Sequence, residues 1–130
     1  MKKTFVDTNI FIEVFSRIGD KSNRCKKLLQ EKEGELTTSC LVLAEVEWVL
    51  RSGYEESKEK VIRCLKKILT SSIEIDDKGV LLNAFNLYQK TNLDWTDCIN
   101  ACFIKKGNYK GIYSYDKDFD KVNFIKRIEP

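Results

Sequence analysis

Two aspartates each come directly after a short apolar run that predicts a β-strand. Asp7 follows Phe5 and Val6, and apolar residues at helical spacing begin shortly after it. Asp116 follows the run 112–115, where another strand is predicted. In open α/β sheets, sites form outside the carboxyl ends of the strands. Both carboxylates are therefore expected at the edge of a sheet where chemistry takes place.

Glu45 is a third acidic candidate, and it lies on a predicted helix. Its neighbours three and four residues away are all apolar: Leu41, Val42, Trp48 and Val49. A carboxylate inside an apolar face is costly to bury unless it is paired or binds a metal. Ligation or catalysis is therefore favoured, and the alternative is a position at the edge of the face that reaches water. Glu47 has Arg51 four residues later and is interpreted as the solvated partner of a surface ion pair.

Further acidic residues lie at the start of a later helix and after the last apolar strand. Asp94 is interpreted as an N-cap, with Asp97 three residues into the helix, and helix capping alone would account for both. Asp118 and Asp120 follow Asp116 at alternate positions and are interpreted as exposed turn residues.

The composition leaves carboxylates as the main candidates for catalysis. The chain has no histidine, which excludes Ser-His-Asp, Cys-His and histidine acid–base mechanisms. Its five cysteines form no CxxC pair, so a structural zinc site is not expected. Ligation by oxygen alone selects Mg²⁺ or Mn²⁺. Clustered carboxylates with one or two such ions can orient a water and stabilise a phosphoryl displacement, which predicts phosphodiester hydrolysis.

The elements that must position these residues alternate along one domain of 130 residues. Helices are predicted after Asn9 and over 20–30, 40–51, 55–69, 77–90 and 94–106. Strands are predicted at the N-terminus and over 36–39, 72–75, 111–115 and 123–128. This alternation predicts an α/β fold, with parallel strands covered by helices on both faces. The sequence contains neither GxxxxGK[ST] nor GxGxxG, which argues against an NTPase or a dinucleotide enzyme.

Four segments, in order, resemble those of PIN domains. FVDTNI at 5–10 resembles the opening of the family, and LAEV at 43–46 contains a glutamate that matches the family's helix glutamate. LDWTDCINA at 93–101 is similar to the family's "xxDxxIxA" segment, and SYDKDF at 114–119 is similar to its "TxDxDF" ending. Each motif alone is weak, but the four together are specific and extend over essentially the whole chain. One departure is Ser114, where threonine is commoner.

The resemblance implies a three-layer α/β/α sandwich with a central parallel sheet, formed by a single PIN-like nuclease domain over 1–130. It also implies a metal-dependent endoribonuclease that uses Mg²⁺ or Mn²⁺. Carried over by position, the catalytic and metal-binding acids are Asp7, Glu45, Asp97 and Asp116. Asn9 and Ser114 match supporting polar positions, and Asp94 is an additional acid kept as a cap or supporting residue.

The small size is similar to that of VapC-type toxins of toxin–antitoxin pairs. That resemblance implies an RNA substrate, a cognate antitoxin protein and a homodimer. We expect a cytoplasmic protein without a membrane partner, because no signal-peptide or membrane-spanning stretch is present. Two alternatives are an RNA-processing PIN-like nuclease without an antitoxin and a non-catalytic PIN-like binding module. An aspartyl phosphatase is disfavoured because DTN at 7–9 lacks the second aspartate of the DxDx[TV] pattern.

Overall fold

In the computed structural model, which describes residues 2–130, the chain divides into two units at Lys78 and Gly79. The first unit contains a parallel sheet of strands β1 (Thr4–Phe5), β2 (Leu36–Thr38) and β3 (Glu74–Ile75) in the order β1-β2-β3. Phe5 pairs with Thr37, and Thr38 pairs with Ile75. The predicted parallel pairing is confirmed here.

The helices of the first unit follow these strands closely. They are α1 (Thr8–Ser16), α2 (Asp20–Glu31), α3 (Cys40–Trp48) and α4 (Lys58–Leu69). Asp7 caps α1 after β1, and the hydroxyl of Ser39 accepts a hydrogen bond from the Val42 amide at the start of α3 after β2. Since capping side chains satisfy otherwise unpaired amides, both helix starts are fixed near the carboxyl ends of the strands.

The core of the first unit consists of apolar side chains from several helices. Fully or almost fully buried examples are Phe11, Leu43, Val46, Leu50 and Leu65. The predicted helix 40–51 is α3 followed by a π-helical segment, Val49–Gly53, closed by a hydrogen bond from the Tyr54 amide to the Val49 carbonyl. The extra residue in this wider turn is a local change that apolar periodicity does not reveal.

The second unit contains α5 (Lys78–Lys90), which begins at the unit boundary, and α6 (Trp95–Gly107). Next come β4 (Ile112–Tyr113), a 3₁₀ helix (Lys117–Lys121) and β5 (Arg127–Ile128), with β4 and β5 parallel. Trp95 is fully buried, edge-on to Tyr88 at 5.4 Å between ring centroids. A side chain at Gly111 would meet the Lys126 carbonyl, so β4 and β5 approach closely there.

The α/β class predicted from the sequence, helices with parallel strands, is confirmed. The strands are shorter than predicted, with two or three residues each. Over residues 2–130, no helix combines the length and apolar character needed to cross a bilayer. That the whole chain 1–130 forms one domain stays a prediction.

Candidate active site

Asp7 lies where the chain passes from β1 into α1. The Val6 amide donates to the Thr37 carbonyl at 2.8 Å, which extends the pairing with β2 up to the residue before Asp7. The Asp7 side chain is exposed, and its Oδ1 accepts a hydrogen bond from the Thr8 amide at 2.8 Å. The candidate acid therefore serves as the N-cap of α1.

Asp7 and Glu45 line the same pocket of about 270 Å³ in the first unit. Thr8, Asn9, Ile12 and Arg17 contribute from α1 and its C-cap, and Glu45 and Val49 from α3 and the segment after it. The structure thus brings together two of the four predicted catalytic acids, with the predicted supporting residue Asn9 beside them.

The sequence favours Glu45 inside an apolar face and Glu47 on the surface, and the structure shows the reverse. Glu45 is exposed, whereas Glu47 is only 2% exposed. The predicted pair of Glu47 with Arg51 is present, at 2.9 Å between Oε2 and Nε, but its acidic member is buried. The reason is that α3 is apolar on most sides, with Leu41 and Trp48 exposed, so neighbours three and four residues away do not identify its buried face.

Thr8 is a site residue that the sequence argument missed. Its side chain is 6% exposed, and its Oγ1 is buried without a hydrogen-bond partner among the described residues. Buried hydroxyls are nearly always satisfied, so an orphan oxygen in a pocket with two acids is consistent with an absent ligand. The signal in the sequence that could have identified Thr8 is its hydroxyl side chain between Asp7 and Asn9. Arg17, which also lines the pocket, gave no signal beyond its charge.

In the second unit, Asp97 lies in the first turn of α6 and is half-buried. Burial raises the pKa of its carboxyl, and the charges of Asp116, Asp94 and Asp118 raise this pKa further. Asp116 therefore lies near enough to Asp97 for its charge to raise the pKa of that carboxyl. Mutual repulsion of this kind is relieved when a cation binds between carboxylates.

Asp116 does not follow β4 directly, although the sequence predicted that it would, because β4 ends at Tyr113, two residues short of the predicted end. The Ser114 amide still donates to the Ile128 carbonyl at 3.1 Å, just beyond the strand. The Oδ1 of Asp116 accepts a hydrogen bond from the Asp118 amide at 2.9 Å, which caps the 3₁₀ helix. Ser114 accepts a hydrogen bond from the Asp116 amide at 3.0 Å through its Oγ. Ser114 therefore holds the backbone that carries this candidate acid.

The neighbouring acids have other roles. Asp118 and Asp120 are exposed as predicted and form ion pairs, with Lys121 at 3.1 Å and with Arg127 at 2.9 Å respectively. Asp94 occupies the predicted N-cap position of α6, but its side chain forms no capping hydrogen bond. Its carboxylate instead adds to the negative potential at Asp97.

The donor atoms fit a hard divalent cation. The candidate ligands are carboxylate oxygens, and the orphan Thr8 hydroxyl adds another oxygen. Among residues 2–130, no three His, Cys, Asp or Glu side chains are placed closely enough to hold a metal ion by themselves.

Comparison with known proteins gives a family and two similar proteins. The PIN domain family matches residues 4–125. The VapC ribonuclease of Aquifex aeolicus (strain VF5) is 25% identical over 129 residues, which cover 96% of this chain and 95% of that protein. The crystal structure of Mycobacterium tuberculosis VapC20, described as a sarcin-ricin loop cleaving toxin, covers 98% of this chain and 100% of that chain, with 16% identity and a TM-score of 0.48. Because the family match extends over residues 4–125, the chain belongs to the PIN domain family.

Proposed function

We propose that this protein is an endoribonuclease that depends on Mg²⁺ or Mn²⁺. The observation that carries the proposal is the pocket of the first unit, where Asp7 and Glu45 lie with the unpartnered hydroxyl of Thr8. Membership of the PIN family and similarity to a relative named VapC ribonuclease support RNA as the substrate.

In this proposal the cation is held by Asp7, Glu45, Asp97 and Asp116, directly or through water. When bound, it supplies a water of lowered pKa and neutralises charge on the phosphate. Asn9 and Ser114 are supporting residues: Ser114 fixes the Asp116 backbone, and Asn9 lines the pocket beside Asp7. The Asp94 carboxylate reinforces the negative potential around Asp97.

We further propose that the protein is the toxin of a toxin–antitoxin pair, acts in the cytoplasm as a homodimer, and is silenced by a cognate antitoxin protein. The similarity to a VapC ribonuclease over nearly the full length of both chains supports this assignment. An RNA-processing nuclease would have the same acids but no silencing partner.

Cleavage of an RNA pool by the purified protein tests the nuclease proposal. We expect cutting with Mg²⁺ or Mn²⁺, none with EDTA, and recovery when excess metal is restored. A preparation of the Asp7→Asn variant, purified identically, controls for contaminating nuclease. Equal cutting by both proteins, or cutting that EDTA leaves unchanged, would contradict the proposal.

Induced expression in cells tests the toxin proposal separately. We expect growth arrest with the wild-type chain and none with Asp7→Asn. We also expect a small neighbouring gene whose product relieves the arrest when both are expressed together. Metal-dependent cutting in vitro without any growth arrest would instead favour an RNA-processing nuclease.

A further inference from the structure

Arg17 lines the same pocket as Asp7 and Glu45. It is the C-cap residue of α1, and its side chain is 48% exposed. A pocket with two carboxylates repels a phosphodiester, so positive charge supplied there by the chain itself is of direct use to a nuclease.

Two protein groups hold the guanidinium of Arg17 in place. Its Nη1 donates to Oε2 of Glu13 at 2.8 Å, and Glu13 is only 5% exposed. Its Nε donates to the hydroxyl of Tyr54 at 2.6 Å, and its Cζ lies 5.9 Å from the centroid of that ring. The side chain is therefore oriented before any ligand arrives, which reduces the entropy lost on binding.

Donors remain available after these contacts. A guanidinium carries five N–H groups, and over residues 2–130 the Nη2 of Arg17 has no hydrogen-bond partner. Arginine donors match phosphate oxygens in a rigid, often bidentate geometry. The free part of Arg17 is thus suited to a phosphate.

A purely structural role for Arg17 would be to neutralise the buried Glu13, and α3 provides an example of that role. Glu47 and Arg51 have the same spacing of four residues, the same burial of the acid and a similarly exposed arginine. Arg51 does not line the pocket of Asp7 and Glu45, whereas Arg17 does. Arg51 is therefore a matched control for the ion pair without the pocket.

We propose that Arg17 binds a phosphate group of the RNA strand in this pocket, and that Glu13 and Tyr54 are positioning residues for it. The inference rests on the proposed nuclease function for the identity of the strand. The contacts of Arg17 are independent of any metal ion.

Binding of a fluorescent single-stranded RNA in EDTA, measured over a range of salt concentrations, tests the proposal without relying on cleavage. Each phosphate contact to a single strand contributes about 0.7 to the slope of log affinity against log salt. We expect Arg17→Gln to weaken binding roughly tenfold and to reduce that slope by about 0.7. Arg51→Gln should leave both near their wild-type values.

Two further variants separate phosphate binding from folding. Arg17→Gln leaves Glu13 buried without its partner, so the double variant Glu13→Gln/Arg17→Gln removes that charge as well and should show the same reduction in slope. Tyr54→Phe keeps the charge and should keep the slope while weakening binding two- to fivefold. Thermal melts establish that each protein is folded.

A wild-type slope in Arg17→Gln, or an equal reduction in Arg51→Gln, would overturn the proposal. If the wild-type protein cleaves RNA while Arg17→Gln keeps the wild-type slope, the nuclease function stands and the role of Arg17 is wrong. If the slope depends on Arg17 but no metal supports cleavage, the phosphate contact stands and the nuclease function is wrong.

Discussion

The carboxylate of Asp7 accepts a hydrogen bond from the amide of Thr8 at 2.8 Å, so the first candidate acid is also the cap of α1. The two roles have different chemical requirements. Capping needs an oxygen acceptor, which Asn and Ser also provide, whereas metal ligation benefits from the negative charge.

Substitutions at Asp7 separate these roles. Asp7→Asn should reduce RNA cleavage by at least about 100-fold, since even supporting partners of metal sites contribute 10- to 100-fold. Its melting temperature should stay near wild type, whereas Asp7→Ala should also lose about 1 kcal/mol of stability. Cleavage assays with thermal melts check this. Equal destabilisation by Asn and Ala would show that the hydrogen bond is not an ordinary cap.

Glu45 and Glu47 provide a second contrast within one helix. Glu45→Gln should abolish most cleavage and leave stability unchanged, because Glu45 is exposed and lines the pocket. Glu47→Ala should cost about 1–3 kcal/mol, because it removes a buried carboxylate with its hydrogen bonds. Denaturant unfolding and cleavage assays of both proteins test this. The opposite assignment of effects would mean that Glu45 belongs to the core.

Asp97 is predicted to reduce the stability of the metal-free protein. Burial and neighbouring acids raise the pKa of its carboxyl, so the folded state holds this proton more tightly than the unfolded state does. Stability should therefore fall as the pH rises through the raised pKa. In EDTA, Asp97→Asn should raise the melting temperature at pH 7 and flatten its pH dependence. With Mg²⁺ present, the same variant should lose cleavage. A lower melting temperature would indicate that the charged form is stabilising.

Asp120 and Arg127 should show the opposite pH dependence. Their two hydrogen bonds, at 2.9 and 3.2 Å, lower the pKa of the Asp120 carboxyl. The stability that they contribute is present above the unfolded pKa, near 4, and is lost as the pH falls through the lower folded value. Asp120→Asn should therefore lower the melting temperature at pH 7, and this difference should shrink as the pH falls below about 4. A pH-independent difference between the two proteins would contradict this.

The sequence predicts some parts of the site because the signals are local. At Asp7 and Asp116, an apolar run ends in an acid. In the structure Asp7 comes one buried residue after β1, and Asp116 comes three residues after the end of β4. The Asp94 position was predictable for the same reason, since helix starts have a recognisable pattern.

Other parts depend on tertiary packing. The burial of Glu47 instead of Glu45 depends on which side of a mostly apolar α3 faces the core, and spacing cannot determine that. The role of Thr8 became visible only through the missing partner of its hydroxyl. Arg17 was identified only when α1 and α3 were seen to share a pocket.

The central claim is that Asp7 and Asp97 both serve the proposed metal-dependent reaction. The most direct test compares the cleavage rate of one RNA in Mg²⁺ for wild type, Asp7→Asn, Asp97→Asn and the double variant. Asp20→Asn, at an exposed acid of α2, serves as the control.

Residues that act as a unit are strongly non-additive. We predict a loss of about 100-fold or more in each single variant, little further loss in the double variant, and a wild-type rate for Asp20→Asn. Near-wild-type cleavage by Asp97→Asn, or single losses that multiply in the double variant, would contradict the account.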